Sequence, residues 1–120
     1  MANNNLLLEN IIEGILEKKG KEIVDIDLTK INSTLCDHFV ICHAESTTQV
    51  GAIADSVQKH VKENLNIRVG HREGIQNATW ILLDFSEIVV HIFQQESRYY
   101  YQLEDLWGDA KQTRIEESYN

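Results

Sequence analysis

Two apolar, β-branched runs separated by two polar residues make up the stretch from Thr79 to Phe93, TWILLDFSEIVVHIF. This pattern predicts a β-hairpin, and with a turn at Ser86-Glu87 residue Leu83 would pair with Val90. Ser-Glu is an unfavourable sequence for a tight primed turn, and a three-residue turn would exchange the two faces of the hairpin. Since side chains alternate between faces along a strand, one face is wholly apolar. We expect that face in the core, with the members Ile81, Leu83, Phe85, Ile88, Val90 and Ile92.

The other face of the predicted hairpin is mixed in character. It places Trp80 opposite Phe93, and Asp84 and His91 lie on the same face. A core seldom combines Trp, His and Asp side chains. We therefore expect this second face to be the beginning of a functional surface.

Aromatic residues are concentrated in and just after the hairpin. Large amphipathic aromatics and arginine are the residues most enriched at energetically important positions of protein interfaces. Some of these side chains would belong to the core of any fold. We expect a protein-binding role for Trp80, Phe93, Arg98 and Tyr101. Six of the nine aromatic residues fall within this part of the chain: Trp80, Phe93, Tyr99, Tyr100, Tyr101 and Trp107.

Length, charge and cysteine content indicate what class of protein this is. A chain of 120 residues with 42% hydrophobic residues predicts one globular domain. The net charge of −8 argues against a surface that binds nucleic-acid backbone, which needs clustered Lys and Arg, and leaves room only for a small basic patch. No apolar run reaches the roughly 18 residues of a membrane span, and the first five residues lack the basic region of a signal peptide. Cys36 and Cys42 suggest free thiols in a reducing compartment, so we expect a cytoplasmic protein.

The rest of the chain predicts an α+β fold. A single domain at 1–110 would contain a mixed β-sheet of about five strands with flanking helices, followed by a flexible tail at 111–120. The predicted elements are a helix over 6–19 closed by Gly20, strands at 23–28 and 37–42 with a turn at Asn32-Ser33 between them, a helix capped by Ser46 and Gln49, a short strand at 67–70, a loop at 74–77, the hairpin, and a helix capped by Ser97.

Three groups of residues are of the types found in catalytic or metal-binding sites. Asp25 and Asp27 resemble the paired carboxylates that hold magnesium in nucleotidyltransferases, but two acids also suit an exposed strand face, and the chain has no Gly-Ser turn to grip phosphate. His91 near Asp84 could act as a general base, although no nucleophile is evident. Cys36, His38, Cys42 and His43 are metal-ligand types, yet the two cysteines would lie roughly 20 Å apart on a strand. We expect no cofactor, no metal and no catalysis, with a nucleotidyltransferase using Asp25 and Asp27 as the alternative.

Several stretches together resemble the ribosomal silencing factor family, also called the Iojap-like family. The resemblance extends from about residue 6 to 110, with its motifs in matching order and spacing. The stretches are 37–41 (DHFVI), Ser46, Gln49-Val50, 52–55 (AIAD), Glu73-Gly74, 80–93 (WILLDFSEIVVHIF), 96–98 (ESR), Tyr101, Leu103-Glu104 and Leu106-Trp107.

This resemblance implies a fold related to nucleotidyltransferases without their catalytic set. It implies a protein that binds the large ribosomal subunit through ribosomal protein number fourteen, blocks joining of the small subunit and represses translation under nutrient limitation or slow growth. It also implies a homodimer when free, and neither membrane nor direct DNA binding. The partner-binding positions that the resemblance indicates are Trp80, Asp84, His91, Phe93, Arg98, Tyr101 and Leu103.

The sequence departs from the family pattern at three points. A turn that usually contains glycine reads His43-Ala44-Glu45-Ser46, Thr48 replaces a common basic residue, and Ser86 replaces the glycine of the hairpin turn. These changes bear on contacts of the first turn and on the hairpin register. A generic adaptor that uses its aromatic face only to dimerise is a further hypothesis.

Overall fold

The computed structural model describes residues 2–31 and 36–119, and the side chains from residue 5 onward within those ranges. The turn expected at Asn32-Ser33 lies outside the described residues. Two helices pack on one face of a mixed sheet, and a short helical segment covers part of the other face. The elements are α1 (Ala2–Glu17), β1 (Lys21–Asp27), β2 (His38–Ala44), α2 (Thr47–Leu65), β3 (His71–Glu73), β4 (Trp80–Asp84), β5 (Ile88–Gln94), α3 (Gln95–Tyr101), a 3₁₀ helix (Leu103–Trp107) and β6 (Lys111–Arg114).

The sheet has six strands in the order β3-β4-β5-β2-β1-β6. The β2–β5 pair is parallel and the other pairs are antiparallel, so the predicted mixed sheet in an α+β fold is confirmed, with one strand more than expected. The short strand expected at 67–70 begins instead at His71. Within the described residues, no helix is both long and apolar enough to cross a membrane.

The hairpin has the predicted register, with Leu83 paired to Val90 and Trp80 paired to Phe93. A two-residue turn forms although Ser86 must adopt a φ of 78°, a backbone conformation that favours glycine. The Asp84 carboxylate compensates by accepting a hydrogen bond from the Ser86 N–H at 2.7 Å. The predicted core face is confirmed, because Ile81, Leu83, Phe85, Ile88, Val90 and Ile92 are all buried against the helices.

Helix α2 follows the prediction closely. The Ser46 hydroxyl caps its first turn by accepting a hydrogen bond from the Gln49 N–H at 3.1 Å. Its buried apolar residues are Val50, Ile53, Ala54, Val57 and Val61, and Leu65 packs at the end of the helix. The sequence therefore sets both the start and the buried face of this helix.

Helix α1 begins at Ala2, earlier than predicted. Its fully buried apolar side chains are Leu7, Ile11 and Ile15, whereas Leu8 and Leu16 are partly buried. After the helix, Lys19 rather than Gly20 adopts the left-handed conformation, with a φ of 60°. Gly20 is needed for space instead, since a Cβ there would lie 2.4 Å from the Ile15 side chain.

The segment after the hairpin corrects two expectations. Helix α3 begins before Ser97, because the Gln94 side chain accepts a hydrogen bond from the Glu96 N–H and caps the helix there. The tail expected to be flexible forms β6 along β1. Beyond it, the Tyr119 hydroxyl donates to the Gly20 carbonyl at 2.7 Å. The outer edge of β1 offers unpaired backbone groups, and the tail satisfies them.

The contact between α1 and α2 gives a test with a matched control. A Cβ on Gly14 would lie 2.7 Å from Val57 Cα, whereas a Cβ on Gly51 would meet nothing within 4 Å. We expect Gly14→Ala to lower the free energy of unfolding by about 1–3 kcal/mol, because backbone must shift to accept the methyl group. Gly51→Ala should raise it by about 0.5–1 kcal/mol. Urea denaturation measures both, and equal effects would contradict this packing.

Candidate functional site

The face of β4 turned away from the long helices carries partly exposed side chains. Trp80 is half-buried there, stacked on Phe93 with ring centroids 4.8 Å apart. Tyr101, at the end of α3, packs its ring 4.9 Å from Trp80 and keeps 53% of its surface exposed. Tyr100 contacts Tyr101 and is 82% exposed. We call Trp80, Tyr100 and Tyr101 the aromatic surface.

Two residues of the second face, His91 and Phe93 on β5, are buried and are not displayed on the functional surface expected there. His91 is 4% exposed and Phe93 is fully buried. Strand β5 lies in the middle of the sheet, and Trp80 covers Phe93 while Phe39 lies edge-on to His91 with centroids 4.8 Å apart. Both residues therefore form the layer beneath the aromatic surface, whereas Trp80 and Tyr101 reach solvent.

A hydrogen bond joins the two layers. The Trp80 indole N–H donates to His91 Nδ1 at 3.1 Å, so the neutral imidazole carries its proton on Nε2. That Nε2 has no partner among the described residues. Burial lowers the pKa of His91 to about 4, and the ring is uncharged at neutral pH.

The possible His91–Asp84 base is not assembled. The Asp84 carboxylate binds the backbone N–H of Ser86, and His91 Nδ1 is occupied by Trp80. Asp84 is half-buried on the rim of the same face, where it fixes the hairpin turn. No hydrogen bond between these two side chains occurs in the described ranges, so this arrangement orients Trp80 rather than activating a nucleophile.

Arg98 is buried rather than displayed, which corrects the expectation of an exposed interface residue. Its guanidinium donates to the Glu22 carbonyl at 2.7 Å and to the Glu104 carboxylate at 2.7 Å. It also donates to His43 Nδ1 at 3.0 Å. Burial and this neighbouring cation lower the pKa of His43. Arg98 thus joins α3, the β1–β2 region and the 3₁₀ helix.

The helix that follows the hairpin is short. Gln102 adopts a φ of 48° and ends α3, so the chain resumes as a 3₁₀ helix in a new direction. Leu103 and Trp107 then pack on the second face of the sheet, with the Trp107 ring 5.6 Å from Phe39. Leu103 is half-buried. The exposure of Tyr100 depends on the break at Gln102.

The Asp25 and Asp27 carboxylates are both engaged within the protein. Asp25 lies 2.8 Å from His38 Nδ1, a contact that raises the pKa of His38. Asp27 accepts hydrogen bonds from the N–H and hydroxyl of Thr29, which lower the pKa of Asp27. In the part of the chain that the structure describes, no three His, Cys, Asp or Glu side chains are grouped to hold a metal. The pair therefore stabilises the β1–β2 end of the sheet.

The cysteines are separate thiols, as the sequence predicts. Cys42 lies in the helix-side core, where burial raises its pKa to about 12. Cys36 is half-buried and its pKa is raised to about 11. Both remain protonated at neutral pH, so neither is an activated nucleophile.

The chain is similar to known proteins over most of its length. The family model described as ribosomal silencing factor during starvation matches residues 2–120. The chain is 38% identical over 114 residues to ribosomal silencing factor RsfS of Halalkalibacterium halodurans, covering 95% of this chain and 96% of that protein. It is 43% identical over 94 residues to ribosomal silencing factor RsfS of Bacillus subtilis, covering 78% of each. A crystal structure of a Chromobacterium violaceum protein superposes with a TM-score of 0.82 at 30% identity, covering 97% of this chain and 92% of that one.

Arg98→Ala tests the structural role of the guanidinium. We expect the free energy of unfolding to fall by about 3 kcal/mol, because the Glu104 carboxylate and the Glu22 carbonyl lose their buried donor. Arg114, whose contact with Glu22 is 3.7 Å long and largely exposed, is the control. Arg114→Ala should cost less than about 0.5 kcal/mol. Chemical denaturation compares the two, and similar losses would refute the assignment.

The buried His91 predicts a pH dependence. Its pKa is about 4 in the folded protein against an ordinary 6.5, so acidification favours the unfolded state, which binds the proton more readily. As the pH is lowered from 6.5 to 4, protonation of His91 in the unfolded state should reduce the free energy of unfolding by about 1.4 kcal/mol for each pH unit. His43 acts in the same direction and His38 in the opposite one.

His91→Gln isolates the His91 contribution, because glutamine can accept from the Trp80 N–H without titrating. Urea unfolding across this pH range should give a shallower slope for the variant than for the unmodified protein. A variant at position 91 with the original slope would contradict the predicted titration.

Proposed function

The chain belongs to the ribosomal silencing factor family, and we propose that it binds the large ribosomal subunit and prevents the small subunit from joining. The action is steric and needs no catalytic step. Translation would fall under nutrient limitation or slow growth. We propose the cytoplasm as the site of action and a homodimer as the free form.

The observation that carries this proposal is the pair Trp80 and Tyr101. Tyr101 is exposed and Trp80 is half-buried, and the Trp80 ring is held by the Phe93 stack and by its hydrogen bond to His91. Aromatic side chains fixed before binding lose little conformational entropy on docking. Such preorganised aromatics are the usual centre of a protein interface.

We propose ribosomal protein number fourteen as the partner at this surface. A net charge of −8 favours encounter with a basic ribosomal protein. A standard interface of about 800 Å² on this side would cover roughly a ninth of its 7112 Å² of accessible surface. That area leaves most of the domain projecting as a steric block.

The seven partner-binding positions divide into two groups by accessibility. Trp80 and Tyr101 would contact the partner, with Asp84 and Leu103 at the rim. The buried residues His91, Phe93 and Arg98 would support binding from beneath, by fixing Trp80 and α3. The first group would supply the binding energy, and the second group would hold the first in position.

A nucleotidyltransferase activity has less support. Its two carboxylates would have to release the contacts that Asp25 makes with His38 and Asp27 makes with Thr29. The binding function requires no such rearrangement. Magnesium-dependent nucleotide binding that is lost in Asp27→Asn would support the enzyme instead.

Tyr99 offers a matched control for the docking surface. It lies on the same helix as Tyr101 with 52% exposure against 53%, but it contacts His43 instead of Trp80. We expect Trp80→Ala and Tyr101→Ala each to weaken binding to purified large subunits by about 2 kcal/mol, and Tyr99→Ala to have little effect. Co-sedimentation titrations measure the affinities.

The double variant Trp80→Ala/Tyr101→Ala should also lose the ability to inhibit subunit joining, measured by sucrose-gradient sedimentation of mixed subunits. Unchanged co-sedimentation of this double variant would refute the surface. Dimerisation lost with subunit binding intact, seen by analytical ultracentrifugation, would assign the aromatic surface to self-association instead.

A further inference from the structure

A groove of about 470 Å³ lies between the C-terminal half of α2 and the segment that leads into β3. Four of the chain's eleven Lys and Arg residues contribute to it. One neutral polar residue and one apolar residue complete its walls. The lining residues are Gln58, Lys59, Lys62, Arg68, Val69 and Arg72.

These four cations are not neutralised by the protein. Within the described ranges, the Lys and Arg residues with a carboxylate oxygen in ion-pair distance lie elsewhere, at Lys21, Arg98 and Arg114. In the groove, Lys62 donates to the Asn66 side-chain oxygen and Arg72 donates to the Gln58 side-chain oxygen, both neutral acceptors. On a chain of net charge −8, the groove is therefore a local concentration of unpaired positive charge.

The fold brings the cations together from two directions. Lys59 and Lys62 lie one turn apart on α2, with Cβ atoms about 5–6 Å apart. Arg68 and Arg72 follow after Asn66, whose left-handed backbone ends the helix and turns the chain back. Arg72 pairs across the strands with Leu83, which packs in the helix-side core. The groove thus lies on the sheet side opposite the aromatic surface.

We propose that this groove binds the phosphodiester backbone of single-stranded RNA. Lys and Arg with no carboxylate partner are the usual ligands of backbone phosphates, and Arg can bind a phosphate through two N–H groups. The described lining residues include no aromatic ring on which a base could stack, so the contacts would be confined to the phosphate backbone, which carries no sequence information. Peptide recognition normally adds an apolar anchor, and Val69 alone is apolar in this lining.

The test measures binding of the purified protein to a fluorescein-labelled uridine oligonucleotide of about 12 residues, by anisotropy at several salt concentrations. Four phosphate contacts predict a slope of log affinity against log salt of about −3. Lys59→Gln/Arg68→Gln changes two side chains for which the structure gives no hydrogen bond or ion pair within the described residues. It should weaken binding at low salt about tenfold and halve the slope.

Lys18→Gln/Lys19→Gln removes the same charge from exposed positions at the end of α1 and should change affinity less than about twofold. Trp80→Ala should leave RNA binding intact, so this result is independent of docking at the aromatic surface. The groove assignment is overturned if the protein does not bind the oligonucleotide, or if both double variants lose affinity equally. Polyglutamate that competes as strongly as the RNA, charge for charge, would identify an acidic peptide as the ligand instead.

Discussion

A single buried guanidinium organises the part of the molecule that follows the hairpin. Arg98 lies on α3, but its hydrogen bonds reach the carbonyl of Glu22 on β1, the ring of His43 on β2 and the carboxylate of Glu104 on the 3₁₀ helix. Burying an unpaired guanidinium would cost several kcal/mol of free energy, and the hydrogen bonds to these acceptors offset that cost. Arg98 therefore ties α3, which ends at Tyr101, to three other parts of the chain.

The aromatic surface depends on layers of increasing exposure. Phe93 is buried, His91 is nearly so, Trp80 is half-buried above them and Tyr101 is open to solvent. The neutral imidazole is essential to this order, because it accepts the indole N–H at a site where a charged ring would be poorly solvated. The Trp80 ring and its indole N–H are therefore held in one orientation before any partner binds.

Local patterns predicted much of the fold. Strand alternation set the hairpin register, the Ser46 cap set the start of α2, and the motifs indicated the correct family. The patterns did not predict what covers the second face, because that depends on the break at Gln102 and on the 3₁₀ helix folding back. The burial of Arg98 was not predictable from the pattern either, since one of its acceptors is the backbone carbonyl of Glu22, where the β1–β2 pairing is irregular. The cationic groove combines Lys59 with Arg68 only after the chain reverses at Asn66.

The pairing of β6 with β1 affects the order in which parts of the sheet can form during synthesis. Val24 pairs with Arg114, 90 positions later in the chain, so the outer ladder of the sheet joins early and late products of synthesis. Pairing over such a separation is slow, because a large loop must close before any contact forms. Trp80 and Tyr101 emerge before β6 does. In a nascent chain, Trp80 and Tyr101 would therefore be synthesised before the outer edge of β1 can pair with β6.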